Sequence, residues 1–392
     1  LADAEHLAGD VHQGRRDRAP ALDAAFAHYS GPIAITMAKD ASPAGLMHLR
    51  GTVVVDLPPL TEAQRTTLWA RHVSADLAAD VAARYRVSGG HIERASQSVK
   101  QRSEDPTLAD VHIAVRSVVD DKLTTLGVRI EWKQSWADLV LPDDSYEELR
   151  EMVSRVRHRR KVIDEWGFGD KIAKGLGVAA LFCGPPGTGK TMAAGLVAND
   201  LGLDLYQIDL SRMVSKYIGE TEKNLAQVFE AAETGHAVLL FDEADSMFAK
   251  RTEVKNSVDR YANLEVNYLL QRMEAFTGIT ILTTNNDSAI DEAFRRRLAF
   301  RIQFPMPEED ERKRLWRALI PAQALAPNID FDQLAEKFVM SGGYIKNAAV
   351  RAAYLAAAEG GLIEMRHLVR AAGAEYMAMG KVMTHGMANG LS

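Results

Sequence analysis

The sequence predicts an α/β protein: a mostly parallel sheet covered by helices on both faces, followed by a small all-helical lid. Three observations predict it. Short apolar runs that read as strands alternate with amphipathic helical stripes between residues 178 and 304. The first of these strands runs into a glycine-rich loop, and the loop into a helix. After Pro307 the pattern becomes entirely helical.

Taken in order, residues 131–144 read as a linker, and Ser145 with Glu148 three positions on reads as a capping box that opens a helix. Residues 178–183 read as a buried strand and 191–201 as the helix beyond the loop. Residues 205–209 are a second strand. Leu225, Val228, Phe229 and Ala232 recur at i, i+3, i+4 and i+7, the spacing of one helix face. Residues 237–241 form a continuous apolar run ending in carboxylates, as a strand buried on both faces does. Val266, Leu269, Leu270 and Met273 make another helical stripe, and 279–283 and 300–304 are further strands.

The chain also resembles itself. Residues 31–40 match 278–287, and 56–69 match 303–316, at a constant offset of 247 residues (278 − 31 and 316 − 69). Ser88-Gly89-Gly90 then echoes Ser341-Gly342-Gly343 after a change of length between them. The copies differ where chemistry would sit: Ala38 stands opposite Asn285, and Ala2-Asp3 opposite Asp242-Glu243, whereas Arg50 matches Arg297. The expected division is therefore 1–130, the back part of a degenerate copy; 131–306, an intact α/β subdomain; and 307–392, its helical lid and tail. A start at Leu1 in what looks like mid-domain suggests a C-terminal piece of a longer protein.

Composition excludes several classes. With 47 Lys plus Arg against 53 Asp plus Glu, the net charge of −6 is not that of a general nucleic-acid binder. The single cysteine, Cys183, rules out an internal disulfide framework and fits a reducing, cytoplasmic setting; it reads as a buried structural thiol. No apolar stretch of roughly 18 residues predicts a membrane span.

The loop Gly184-Pro185-Pro186-Gly187-Thr188-Gly189-Lys190-Thr191 has the form G-x-x-x-x-G-K-T between strand and helix. Glycines let backbone N–H groups surround phosphate oxygens, and the helix N-terminus adds its dipole. Lys190 offers a point charge to the outer phosphates and Thr191 a hydroxyl to Mg²⁺. Asp242 and Glu243 close the strand 237–241. There Asp242 can hold Mg²⁺ through water, and Glu243 can orient or deprotonate an attacking water. Asn285 ends a strand, where its amide could reach water or phosphate, although asparagine at such a place is commonly only a turn residue. On its own, Arg295-Arg296-Arg297 reads better as a solvated charge run than as a contact to a neighbouring subunit's phosphate.

Together, Gly-Pro-Pro-Gly-Thr-Gly-Lys-Thr, Lys-Tyr-Ile-Gly-Glu-Thr-Glu-Lys-Asn, Leu-Leu-Phe-Asp-Glu-Ala-Asp and Thr-Thr-Asn resemble the AAA+ ATPases, the AAA clade in particular, over about residues 132–376. The resemblance implies a P-loop NTPase fold and ATP hydrolysis with Mg²⁺. It implies assembly as rings, usually hexamers, that act on a protein substrate or adaptor. The segment from Gly184 to Met192 would hold the nucleotide, with Leu139 and Val140 beside the adenine, although the Gly-Gly that usually follows is missing. Lys216, Tyr217, Ile218 and Gly219 match the pore loop that grips a threaded polypeptide. Arg296 and Arg297 match the arginines that act on a neighbour's phosphate; their adjacency departs from the usual Arg-x-x-Arg and leaves open which one reaches it. Asn285 matches the sensor, and Ser341-Gly-Gly resembles the family's Ser-Gly-Ala in the lid. A softer resemblance is to bacterial AAA ATPases of contractile injection systems. Rival readings are a DNA-associated loader and a nucleotide-gated scaffold with slow turnover. A membrane protease of the same clade would need a His-Glu-x-x-His helix, which the sequence lacks.

Overall fold

The structure, a computed structural model, describes residues 53, 55, 57–103, 105–118, 122–171, 177–210, 220–235, 237–244, 267–286 and 292–382. All elements below belong to the unit that begins at Thr61. The predicted strand copy at 31–40, together with Ala2, Asp3, Ala38 and Arg50, lies outside the described residues, as does the loop Lys216, Tyr217, Ile218 and Gly219.

Among the described residues one sheet forms from β1 (Val128–Ile130), β2 (Val178–Cys183), β3 (Leu205–Ile208), β4 (Val238–Phe241), β5 (Ile279–Thr284) and β6 (Phe300–Gln303). Their order is β1-β3-β4-β5-β2-β6. All pairings are parallel except β1 with β3, where Ile130 faces Leu205 and Val128 faces Gln207. Each parallel strand carries apolar residues on both sides because both faces are covered. One face packs Leu239, Phe241 and Ile208 against Leu225, Val228 and Phe229. The other packs Phe182, Leu240 and Ile281 against Leu149, Ala193 and Val197. Burial pushes the Cys183 thiol pKa up, with a partial offset from Arg301, which fits an inert thiol.

Ahead of the sheet stand α1 (Glu62–Trp69), α2 (Ala75–Arg84), α3 (Gly89–Arg102) and α4 (Leu108–Val118). Then come α5 (Lys122–Leu126), α6 (Asp143–Arg157), α7 (Lys190–Leu201), α8 (Glu220–Gly235) and the short α9 (Glu292–Arg295). The lid is α10 (Glu309–Leu319), α11 (Phe331–Lys337), α12 (Gly342–Ala358) and α13 (Met365–Ala378). Helix α6 starts two residues before the Ser145 expected as its cap. Pro142 is the N-cap, Asp143 and Asp144 supply the acidic first turn, and Ser145 is buried within it.

The helices of 61–118 and of the lid repeat one construction. Helix α1 opens on a capping box at Thr61 and α10 on one at Glu308. Each helix then buries an arginine and, four residues on, a tryptophan: Arg65 and Trp69, Arg312 and Trp316. Arg65 Nε donates to Ala82 O at 3.0 Å, and Arg312 Nε to Ala335 O at 2.8 Å. Arg312 also donates through Nη1 to Pro307 O at 2.6 Å. The arginines and tryptophans keep the offset of 247 (312 − 65), whereas the alanines share that of Ser341 and Ser88, 253 (335 − 82 and 341 − 88). The length change therefore falls between α1 and the end of α2.

The first bundle is tied to the sheet at one corner. Asp204, just before β3, faces Arg129 at 3.5 Å and both His112 and Arg116 at 3.7 Å. Arg84 Nη1 donates to Leu201 O at 3.4 Å, at the end of α7.

Arg312→Met is expected to cost about 1–3 kcal/mol for each buried carbonyl it leaves without a donor. Urea unfolding followed by the fluorescence of the lid's buried Trp316 measures it. An unchanged midpoint removes the clasp from the lid's stability.

Candidate nucleotide site

The site lies at the carboxyl edge of the parallel strands, where β2 gives way to the loop 184–189 and α7 begins. Two glycines here are required by backbone. Gly184 has φ +150°, and a β-carbon on it would stand 2.0 Å from Phe304 O. Gly187 has φ +76°, and a β-carbon there would stand 2.7 Å from Ser341 Oγ. The lid reaches the loop at this point, where Gly343 N donates to Gly187 O at 2.8 Å. Thr188 Oγ1 closes the loop on Pro185 O at 2.9 Å. Pro186 is exposed at the loop's crest, and Thr191 and Met192 are half-buried in the first turn of α7. Leu139 and Val140 are buried, and a β-carbon on Gly189 would sit 3.4 Å from Leu139 Cδ1, so Leu139 borders the loop.

Lys190 is buried, and its Nζ donates to Gly184 O at 2.6 Å, Pro185 O at 2.9 Å and Asn285 Oδ1 at 2.9 Å. Asn285 directly follows β5. Two residues earlier, buried Thr283 donates through Oγ1 to Asp242 Oδ1 and accepts from Glu243 N at 3.0 Å. Gln207 Nε2 donates to the other Asp242 oxygen at 2.8 Å. Glu243 takes φ +53°, a left-handed conformation that costs a non-glycine residue free energy and gathers at functional sites. The residues 283–285 thus join Lys190 on one side to Asp242 and Glu243 on the other. The sequence named the lysine, the asparagine and both carboxylates, but neither Thr283 nor Gln207.

The donor set fits a magnesium nucleotide. It holds a buried ammonium at a helix start, a cradle that admits only glycine at two points, and a carboxylate fixed through both oxygens. The arginine triplet begins at the last residue of α9, Arg295, and runs on into the turn beyond it. Arg297 Nε donates to Glu274 at 2.8 Å, and Arg296 is exposed. Lys346 is exposed on α12.

Parallel strand order, phosphate-loop geometry and paired carboxylates define a P-loop nucleotide-binding fold. Within it, residues 180–306 match the family model described as ATPase family associated with various cellular activities (AAA), and the chain carries an AAA ATPase domain. It is similar to the Cell division cycle protein 48 homolog of Archaeoglobus fulgidus, 31% identical over 57% of this chain and 32% of that one. It is similar to the Katanin p60 ATPase-containing subunit A1 of Strongylocentrotus purpuratus, 36% identical over 45% of this chain and 36% of that one. The Proteasome-activating nucleotidase of Saccharolobus solfataricus is 29% identical over 59% of this chain and 62% of its own length. The chain spans well under half of the first two relatives.

Thr283→Val keeps the shape but strips both hydrogen bonds, leaving Asp242 Oδ1 and Glu243 N short of a partner. A loss of about 1–3 kcal/mol is expected in thermal unfolding. A variant as stable as the parent shows that the pair does not depend on Thr283.

Proposed function

We propose that this chain is a subunit of an ATP-hydrolysing ring that remodels, unfolds or disassembles a protein partner. The observation that supports it best is the run of hydrogen bonds from Lys190 through Asn285 and Thr283 to Asp242 and Glu243. Lys190 binds the outer phosphates by releasing loop carbonyls that hold its ammonium. Thr191 and Asp242 hold Mg²⁺, largely through water, and the ion when bound neutralises charge on the phosphates. Glu243, pinned in its turn by Thr283, orients the attacking water and takes its proton. Asn285 sits against both the lysine and the end of β5, so occupancy of the phosphate site bears directly on the sheet.

The remaining assignments complete the reading. Leu139 and Val140 flank the base. Arg296 and Arg297 act across the seam on a neighbour's nucleotide in a hexameric, cytoplasmic ring. Lys216, Tyr217, Ile218 and Gly219 form the loop that grips the translocated polypeptide. Residues 131–306 and 307–392 are the large subdomain and lid of the active module, with β1 contributed from just ahead of them. Residues 1–130 are the back part of a degenerate module, a reading that the repeated arginine clasp supports. Among the described residues no helix is long and apolar enough to cross a membrane.

Lys190→Ala is expected to abolish ATP binding, measured with a fluorescent analogue; retained turnover removes the site. Glu243→Gln is expected to bind ATP yet lose hydrolysis by about 10²-fold or more. Tyr217→Ala is expected to keep basal ATPase and lose processing of a tagged unfolded substrate; full processing returns Tyr217 to packing. Mixed rings of Arg296→Ala and Arg297→Ala subunits identify the residue that acts in trans.

A further inference from the structure

We propose that Gln207 is a positioning residue for the magnesium site, holding the Asp242 carboxylate in the orientation that accepts the hydrated ion. The inference rests on the ATPase reading and deepens it.

Gln207 lies in β3, one strand over from Asp242. Registered opposite Leu240, it shares the sheet face that packs beneath α7, the face that also takes Leu205, Leu240 and Val238. An amide in that apolar stripe needs a partner, because an unpaired polar group there costs free energy. Its partner is Asp242, at 2.8 Å from Nε2 to Oδ2. The other oxygen, Oδ1, takes the Thr283 hydroxyl. Each carboxylate oxygen accepts two hydrogen bonds, so one donor on each fixes the plane and leaves the outer lone pairs for the ion's water. Partners of this kind fix ligand orientation and tune affinity.

The strand that presents Gln207 is itself gripped on both sides. β4 pairs with it in parallel, and β1 pairs with it through Val128 opposite Gln207. A β-carbon on Gly127 would stand 2.9 Å from Gln207 O, so the edge segment closes directly over this residue. Three positions before Gln207, Asp204 draws in Arg129, Arg116 and His112. The amide is therefore delivered from a strand that cannot shift sideways.

The test compares metal affinity with nucleotide affinity. Gln207→Met keeps the length of the side chain and removes the donor. Mn²⁺ titrated into the ADP-loaded protein, followed by electron paramagnetic resonance, is expected to bind about 10–100-fold more weakly than in the parent. The Mg²⁺ concentration for half-maximal ATP turnover is expected to rise in step. Fluorescent-nucleotide affinity in EDTA and the maximal rate at saturating Mg²⁺ are expected to stay within about twofold, since Lys190 and Glu243 are untouched. Gln207→Asn, an amide one methylene too short to span the gap, is the second variant in case the thioether disturbs packing, and the same metal defect is expected. Unchanged Mn²⁺ affinity in either folded variant overturns the proposal, as does a fall in maximal rate with unaltered metal dependence. A parent protein that binds Mn²⁺ and nucleotide but never hydrolyses ATP overturns the ATPase reading instead, and the Mn²⁺ comparison still decides the role of Gln207.

Discussion

The short stretch Thr283-Thr284-Asn285 at the end of β5 is the constraint on which the site depends. Its side chains face two ways. Asn285 holds the Lys190 ammonium, and Thr283 holds both the Asp242 carboxylate and the backbone of Glu243. Between them the backbone carries the same tie, since Gly184 N donates to Thr284 O and Ala244 N donates to Thr283 O. Central strand β5 therefore binds the phosphate loop on one side and the acidic turn on the other. Buried hydrogen bonds to charged groups are among the stronger ones, and losing a partner costs more than the bond gains. The strained turn at Glu243 persists because these bonds over-determine it.

The lid obeys a second constraint of the same type. A buried guanidinium must find acceptors, and Arg312 finds them on Pro307 and Ala335, so it staples the lid's entry to the end of α11. That staple sets where α12 begins, and the first turn of α12 lies on Gly187 of the phosphate loop. The same device in 61–118, with Arg65 on Ala82, sets the start of α3 at Ser88. There, among the described residues, nothing lies on the first turn of α3 at Gly90: a β-carbon on it would touch nothing within 4 Å.

Much of this was legible in the sequence, because the signals are local. Short, largely apolar runs placed the strands β2 to β5 to within a residue or two, and the stripe Leu225, Val228, Phe229 and Ala232 is buried as its spacing requires. The phosphate loop and the Asp242-Glu243 pair are recognisable because phosphate and metal chemistry demand particular residue types at fixed spacing. What escaped is non-local. β1 is three residues long and half exposed, so it has no periodicity to read, and only pairing with β3 makes it a strand. The start of α6 went to Ser145 because a serine-glutamate pair imitates a cap, whereas Pro142 and the two aspartates supply the real one. Thr283 and Gln207 look like ordinary strand residues, and their role appears only when a third strand brings Asp242 between them.

That last point explains why β3 matters beyond its four residues. Its beginning is held by Asp204 against Arg129, Arg116 and the His112 ring, the last two from α4, and its third residue holds the Asp242 carboxylate. The contacts at Asp204 and the hydrogen bond from Gln207 to Asp242 thus lie three residues apart on one short stretch of chain. The first bundle therefore does more than cover an edge: its grip on Asp204 fixes the start of the strand whose third residue, Gln207, holds the Asp242 carboxylate.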